Sequence, residues 1–227
     1  MLELFNIKYV GCKTLASAIG MNKYASKLYF DSIGIPQVPY VKYNNNLKEI
    51  MELGFPLIVK PCNGGSSIGI SKANNKEELI DGINNALLYD KNIIVEKFIK
   101  SREFECSILE DNELIISEVG EIKYNNEFYD FEDKYINEVK LDIPAKIDKK
   151  LAYQIKKISK KIYNAIDGKS MCRIDFLYDT SNKKLYFNEI NTIPGFTNIS
   201  MFPLLMLNKG YSYQEVISTL IEKASVN

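Results

Sequence analysis

Polar side chains interrupt two neighbouring apolar segments near the carboxyl end of the chain. The first segment carries Arg173 and Asp175, and the second carries Glu189 and Asn191. Because strand side chains alternate between faces, the members of each pair share one face of their strand. Charges inside buried strands are costly without compensation, and oxygen ligands suit hard cations such as Mg²⁺. The pattern indicates a metal site or, alternatively, a structural ion-pair cluster built on Arg173.

A glycine-rich turn lies between two short predicted strands in the first third of the chain. Residues 63–69 contain three glycines together with Ser66 and Ser67, and Lys60 ends the apolar strand just before them. Glycines let backbone N–H groups approach phosphate oxygens, and hydroxyl groups add donors. The turn lacks the Gly-Lys-Ser/Thr ending of a Walker A loop, so a plain hairpin turn remains the alternative to phosphate binding.

A Pro-Gly pair follows the second polar strand immediately. The backbone N–H of Gly195 could point into a site, as an oxyanion donor does. A turn without chemistry explains the same pair equally well. The Pro-Gly pair alone therefore does not indicate a functional site; the neighbouring motifs must decide.

The composition excludes several classes of protein. The 227 residues carry a formal net charge of zero and no histidine, which excludes His-dependent triads and His-ligated zinc and argues against a general nucleic-acid binder. Four dispersed cysteines are typical of reduced thiols. No apolar run has the length of a membrane span and no secretory leader opens the chain, so we expect a cytoplasmic protein.

The pattern of apolar and turn residues predicts an α+β fold in two lobes. A helical fragment over 1–5 and an extended stretch over 6–11 read as a remnant or linker of a longer protein. We divide the chain into 1–20 (this linker), 21–99 (a smaller lobe) and 100–227 (a larger lobe with the metal site). The predicted helices are 15–32, 47–53, 76–89, 149–165 and 212–224; the predicted strands are 38–43, 55–61, 70–71, 93–96, 103–109, 113–121, 171–178 and 184–191; long loops cover 124–145 and 192–198.

Together these motifs resemble the D-alanine–D-alanine ligases of the ATP-grasp superfamily, in family order and over nearly the whole chain. The most specific match joins Arg173-Ile174-Asp175 to the segment 188–197. The other matching motifs are Tyr9-Val10-Gly11-Cys12, Met21-Asn22-Lys23, Val59-Lys60-Pro61 with Gly65-Ser66-Ser67-Ile68-Gly69, Val95-Glu96-Lys97-Phe98-Ile99 with Arg102-Glu103, Phe128-Tyr129-Asp130-Phe131 with Lys134-Tyr135, and Ser200-Met201-Phe202-Pro203.

The resemblance implies ATP-dependent joining of two D-alanines for peptidoglycan, with ATP and two Mg²⁺ or Mn²⁺ ions bound between two α+β lobes. The implied nucleotide-binding residues are Lys23, Lys60, Ser67, Glu96, Lys97, Ile99, Glu103 and Lys134. The implied metal ligands are Asp175, Glu189 and Asn191. The implied catalytic residues are Ser66, Tyr135, Arg173 and Gly195, and Ser200 and Met201 match positions that hold the second substrate.

One departure from the family is as informative as the match. Family members carry an additional N-terminal domain, whose acidic residue receives the first D-alanine's ammonium group and contacts the positions of Ser66 and Tyr135. No residue here matches that acid. We therefore expect this chain to retain ATP affinity with little ligase turnover, and expect a version extended upstream to be the more active of the two.

Two alternatives remain open from the sequence. The chain could be a non-catalytic nucleotide-binding remnant, or an ATP-grasp ligase for other amino acids such as D-alanine with D-serine. ATP-dependent phosphate release with and without D-alanine separates the first alternative from a ligase. The partners implied are small molecules, with no nucleic acid or membrane, and a homodimer is left open.

Overall fold

The computed structural model describes residues 1–123 and 140–224. Within those ranges the chain is a mixture of helices and antiparallel sheets, which confirms the α+β prediction. The helices are a short 3₁₀ turn at Glu3–Phe5, α1 (Thr14–Met21), α2 (Lys23–Ser32), α3 (Leu47–Glu52), α4 (Lys76–Leu87), α5 (Lys149–Ala165), α6 (Met201–Asn208) and α7 (Tyr213–Glu222). The strands are β1 (Tyr40–Lys42), β2 (Leu57–Pro61), β3 (Ser71–Ala73), β4 (Ile93–Lys97), β5 (Ser101–Glu110), β6 (Leu114–Lys123), β7 (Lys140–Asp142), β8 (Met171–Asp179) and β9 (Lys184–Asn191).

The smaller sheet has the strand order β1-β4-β2-β3, with every pair antiparallel. Leu57, Val59 and Val95 are fully buried in one apolar cluster with residues of α3 and α4. Because side chains alternate along a strand, Lys60 of β2 and Glu96 of β4 lie on the opposite face. One face of this sheet therefore forms a core, and the other presents charge.

The larger sheet has the order β7-β6-β5-β8-β9 and follows the same division of faces. Phe104 of β5 and Ile174 of β8 are fully buried in a cluster with Ile155 and Ile162 of α5. The helix α5 has the bounds that its apolar stripe predicts. The face of β5 and β8 away from α5 carries acidic residues and an arginine.

A β-bulge separates β8 from strict register with β9. Asp175 lies opposite Glu189 and Phe176 opposite Phe187, so Asn188 is an extra residue in β9. In a regular strand, Phe187 and Glu189 would share one face, because they are two residues apart. The bulge lets β9 bury Phe187 in the core while Glu189 stays on the polar face, as bulges beside functional sites commonly do.

The single helix predicted over 15–32 is two helices in the structure. Asn22 has an extended backbone between them (φ −97°, ψ 107°), and its side chain accepts a hydrogen bond from the Ala25 N–H at 2.9 Å. This N-cap ends α1 and starts α2, because it satisfies a backbone donor that has no helical partner. Lys23 is thereby placed in the first turn of α2.

Helix α1 and part of α2 pack on the larger sheet. Ala16 and Ile19 of α1 and Phe30 of α2 belong to the same buried cluster as β5, β8 and β9. A Cβ on Gly20 would lie 3.1 Å from the Thr192 side chain, so α1 approaches the end of β9 closely. The predicted lobe boundaries at residues 20 and 99 stay a proposal. Both α1 and α2 contribute residues to the core of the larger sheet.

Two further elements of the structure differ from the sequence prediction. Helix α6 lies where the sequence predicts no helix. Pro203 argues against a helix there, but proline is tolerated in the first helical turn, where Pro203 lies. Strand β7 lies inside the predicted loop 124–145. The sequence does not predict this strand, because its pairing with β6 is a tertiary contact. Among the described helices, none combines the length and apolar character that a membrane crossing requires.

Candidate active site

A buried carboxylate holds two lysines on the charged face of the smaller sheet. Glu96 Oε1 lies 3.2 Å from Lys27 Nζ, and Glu96 Oε2 accepts a hydrogen bond from Lys60 Nζ at 2.8 Å. Burial alone would raise the pKa of Glu96, but the two ammonium groups outweigh burial and lower that pKa to about 2. Glu96 is therefore ionised at neutral pH and fixes Lys60 beside the glycine-rich turn.

A third lysine joins this group from the start of α2. Lys23 Nζ donates to the carbonyl oxygen of Gly64 at 2.9 Å, and the Lys23 N–H donates to the carbonyl oxygen of Cys62 at 2.8 Å. Burial lowers the pKa of Lys23, while the nearby Glu189 carboxylate acts in the opposite direction. We call Lys23, Lys27, Lys60 and Glu96 the lysine cluster. Both Lys23 and Lys60 interact electrostatically with Glu189 of β9, so the cluster lies near that strand of the larger sheet.

The glycine-rich turn is firmly held at its base and open at its tip. A Cβ on Gly69 would lie 2.6 Å from the Tyr89 ring, whereas in the described part of the chain no atom lies within 4 Å of a Cβ placed on Gly64 or Gly65. Ser66 and Ser67 adopt φ values of 55° and 59°, in the region that favours glycine. Strained backbone of this kind is typical of ligand-binding loops, and the open tip leaves room for phosphate groups.

The charged face of the larger sheet presents the opposite excess of charge. Arg173 forks onto Asp175, with Nε to Oδ1 and Nη2 to Oδ2 both at 2.8 Å, and Nε also lies 2.9 Å from Glu105 Oε2. Asn191 Nδ2 donates to Asp175 Oδ2 at 3.1 Å. We call Glu105, Arg173, Asp175, Glu189 and Asn191 the carboxylate cluster. Burial opposes the charge of Arg173, but Asp175 and Glu105 raise its pKa above the usual value.

The donors in the carboxylate cluster suit a hard divalent cation that is shared with a phosphate group. Asp175 and Glu189 are directly opposite each other, and Asn191 is opposite Arg173, so three oxygen-bearing side chains occupy one face. Among residues 1–123 and 140–224, no group of three His, Cys, Asp or Glu residues has metal-binding geometry. Mg²⁺ typically uses one or two carboxylates plus phosphate oxygens, which is what this donor set offers.

The segment after β9 brings Gly195 and Ser200 together. A Cβ on Gly195 would lie 2.9 Å from Ser200 Oγ, which also accepts a hydrogen bond from the Thr197 N–H at 3.1 Å. Ser200 precedes α6, and Met201 is buried against Gly120 of β6. The Met201 side chain therefore packs in the core, and only its backbone is available for a ligand.

A family model described as "D-ala D-ala ligase C-terminus" matches residues 29–222. Curated D-alanine–D-alanine ligases from Acetivibrio thermocellus and Caldicellulosiruptor bescii are 42% and 44% identical over 99% of this chain. The chain belongs to the D-alanine–D-alanine ligase family. It spans 62% and 65% of the lengths of those two relatives.

Solved structures of family members share the fold. The VanG D-Ala:D-Ser ligase from Enterococcus faecalis superimposes with a TM-score of 0.87 at 35% identity, covering 98% of this chain and 67% of that one. The D-alanine–D-alanine ligase from Coxiella burnetii gives 0.85 at 29% identity, covering 98% and 62%. The predicted ATP-grasp fold is thereby confirmed.

Within this D-alanine–D-alanine ligase fold, three of the predicted nucleotide-binding residues follow one another along the chain: Lys97 ends β4, Ile99 lies between β4 and β5, and Glu103 is in β5. Lys97 Nζ donates to the carbonyl oxygens of Gly54 and Phe55 at 2.9 and 3.0 Å, so its ammonium group is already engaged. Ile99 lies between β4 and β5 and is half-buried, and the Glu103 carboxylate helps to raise the pKa of Lys60. Their proximity agrees with the predicted site, but their roles stay predictions.

Two predicted site residues are not described by the structure, and two residues of the clusters have no sequence prediction. Lys134 and Tyr135 lie outside the described residues. Lys27 and Glu105 were not predicted, although both join the clusters. The available signals were periodic: Lys27 is one helical turn after Lys23, and Glu105 is two strand positions after Glu103. Among many lysines and glutamates, such spacing alone does not single out a residue.

Proposed function

We propose that this protein binds Mg-ATP between its two sheets and uses it to join two D-alanines. The observation that carries the proposal is the lysine cluster, in which two ammonium groups pair with one carboxylate and a third lies nearby on an open glycine-rich turn. Buried positive excess of this kind suits a polyphosphate, since phosphoryl transfer depends on charge neutralisation and positioning. The family supports ATP-dependent ligation and an amino-acid substrate.

In the proposed reaction, the carboxylate of the first D-alanine attacks the γ-phosphorus of ATP, giving an acylphosphate and ADP. Lys23 and Lys60 hold the phosphate oxygens, and Ser66 and Ser67 place the turn over them. Asp175, Glu189 and Asn191 would hold Mg²⁺ or Mn²⁺, which offsets phosphate charge. Lys134 and Tyr135 are proposed to act with these groups at the phosphate and substrate side.

The second half of the reaction forms the peptide bond. The amine of the second D-alanine attacks the acyl carbon, inorganic phosphate leaves, and the amine loses a proton. Arg173 and the Gly195 N–H stabilise the oxyanion of the tetrahedral intermediate, and Ser200 with the Met201 backbone receives the second substrate's carboxylate. Because Glu96 and the Lys97 ammonium are engaged elsewhere, we propose that backbone groups of Lys97 and Ile99 read the adenine edge, while Glu103 binds the ribose.

D-serine is the second candidate for the acceptor. The superimposed VanG protein is a D-Ala:D-Ser ligase, and the two acceptors differ by one hydroxyl group, which a small pocket change can accommodate. D-lactate is less favoured, because the sequence over 128–135 resembles that of amino-acid-using ligases and the chain has no histidine. The product would enter peptidoglycan, and we place the reaction in the cytoplasm, where ATP is available.

The test combines calorimetry with product analysis. Mg-ATP is titrated into the protein, and phosphate release and products are then measured with D-alanine alone and with D-serine or D-lactate as competitor. Lys60→Met should abolish binding, whereas Lys48→Met on the exposed surface should not. A parent protein that fails to bind Mg-ATP contradicts the proposal. Binding without D-alanine-dependent phosphate release supports a nucleotide-binding protein instead, and dominant ester product near neutral pH contradicts the acceptor choice.

A further inference from the structure

Lys27 is an almost fully buried lysine that the family resemblance assigns to nothing. Its exposed fraction is 2%, and its Nζ faces Glu96 Oε1 at 3.2 Å without making a hydrogen bond of normal geometry among the described residues. The ammonium also lies 5.1 Å from the centre of the Tyr40 ring. Burying such a charge is costly, and one imperfect ion pair compensates it only partly.

The position of Lys27 suggests a function that would justify the free-energy cost of burying its charge. Glu96 has two oxygens, one facing Lys27 and the other bonded to Lys60. If Lys27 were neutral, the full charge of Glu96 would face Lys60 and cancel it. With Lys27 present, the three groups together carry one surplus positive charge in a water-poor site, where charges act strongly.

The helix geometry agrees with this function. Lys23 and Lys27 are four residues apart in α2 and therefore lie on the same face. Lys23 reaches the glycine-rich turn, while Lys27 reaches Glu96 behind it. The Gln37 side chain donates to the Lys27 carbonyl oxygen at 2.8 Å, which fixes the backbone from which Lys27 extends.

We propose that Lys27 is a positioning residue that neutralises Glu96, so that Lys60 remains available as a cation for the phosphate groups of ATP. The proposal rests on the proposed function. It differs from a purely structural role in one measurable respect: Lys27 acts on a polyanion and not on the nucleoside. It acts through Glu96, so its loss should be compensated by removal of the Glu96 charge.

The experiment measures calorimetric affinities of Mg-ATP and of adenosine at pH 7 for the parent and three variants. Lys27→Met should weaken Mg-ATP at least tenfold and change adenosine less than twofold. Lys27→Met with Glu96→Gln should recover most of the Mg-ATP affinity, because Lys60 again carries an uncancelled charge. Lys42→Met is the matched control, since Lys42 also lies over a tyrosine ring, 5.0 Å from that of Tyr24; it should bind like the parent.

Three outcomes would overturn the proposal: unchanged Mg-ATP affinity in Lys27→Met, equal weakening of Mg-ATP and adenosine, or no recovery in the double variant. If Lys27→Met does not fold, Glu96→Gln alone decides. The Glu96→Gln variant has one more uncancelled positive charge than the parent. Its ratio of Mg-ATP affinity to adenosine affinity should therefore be higher than that of the parent, and a lower ratio contradicts the proposal. A parent that binds no Mg-ATP would instead remove the proposed function itself.

Discussion

The lysine cluster and the carboxylate cluster carry opposite excess charges. The first combines three lysines with one carboxylate, and the second combines Glu105, Asp175 and Glu189 with Arg173. A core that served stability alone would pair its charges evenly or replace them with apolar groups. Two facing imbalances of opposite sign suit a ligand that itself combines a polyanion with a cation. The difference teaches that each cluster depends on its minority charge.

The largest effect should come from removing the minority charge of the carboxylate cluster. Arg173→Met leaves Asp175 and Glu105 buried without their cation, and breaking such a pair typically costs about 3–5 kcal/mol. Urea unfolding measures the loss. Lys156→Met is the control, because its pair with Glu118 is partly exposed and should cost about 0–1 kcal/mol. Similar losses in both variants would show that the cluster does not depend on Arg173.

The second effect concerns Glu96, the minority charge of the lysine cluster. Its folded-state pKa of about 2 lies below the ordinary value of 4.5. Glu96 therefore adds stability that is complete above pH 4.5 and is lost as the pH falls towards 2, and a shift of this size corresponds to roughly 3 kcal/mol. The parent should exceed Glu96→Gln in free energy of unfolding at pH 7, and the two should converge near pH 2.

Urea unfolding at several pH values between 2 and 7 tests this convergence. Glu118→Gln serves as the control, since Glu118 is partly exposed and should differ little from the parent at any pH. A gap between the parent and Glu96→Gln that does not change with pH would mean that Glu96 is not held ionised by its two lysines.

The third effect concerns Glu189, whose carboxylate interacts electrostatically with Lys23 and Lys60. Its removal should change ATP affinity in opposite directions with and without Mg²⁺. Glu189→Gln replaces a proposed carboxylate ligand with a neutral amide, whose oxygen binds Mg²⁺ more weakly, so Mg-ATP should bind about tenfold more weakly. Without metal, loss of a negative charge should make ATP bind more tightly than to the parent. Calorimetry with and without Mg²⁺ measures both. A variant that weakens ATP equally in both conditions would exclude Glu189 as a metal ligand.

The smallest effect tests the cap that places Lys23. Asn22→Ala and Asn75→Ala each remove an N-cap hydrogen bond of 2.9 Å, from α2 and α4 respectively, and each should cost about 1 kcal/mol of stability. Only Asn22→Ala should also weaken Mg-ATP, by about two- to threefold, because only α2 begins with Lys23. Equal ATP affinity in the two variants would separate the cap from the nucleotide site.

Much of the fold follows from local sequence. The apolar stripe of α5 predicts its bounds, and alternation within β8 places Arg173 and Asp175 together on one face. Period and turn chemistry operate within a few residues and are therefore visible in the chain. The same holds for the glycine-rich turn. The family motifs extended this local information to a list of site residues, several of which the structure brings together in the lysine cluster and the carboxylate cluster.

What the sequence by itself determined is thus the set of faces: which side chains point away from the core and which turns have open backbones. The tertiary structure alone decided which of those faces meet. Only packing shows that Lys27 ends on Glu96, that Glu105 shares Arg173 with Asp175, and that one extra residue in β9 keeps Phe187 in the core. The physical reason is that pairing of buried charges and strand register depend on contacts between distant segments, which no local period records.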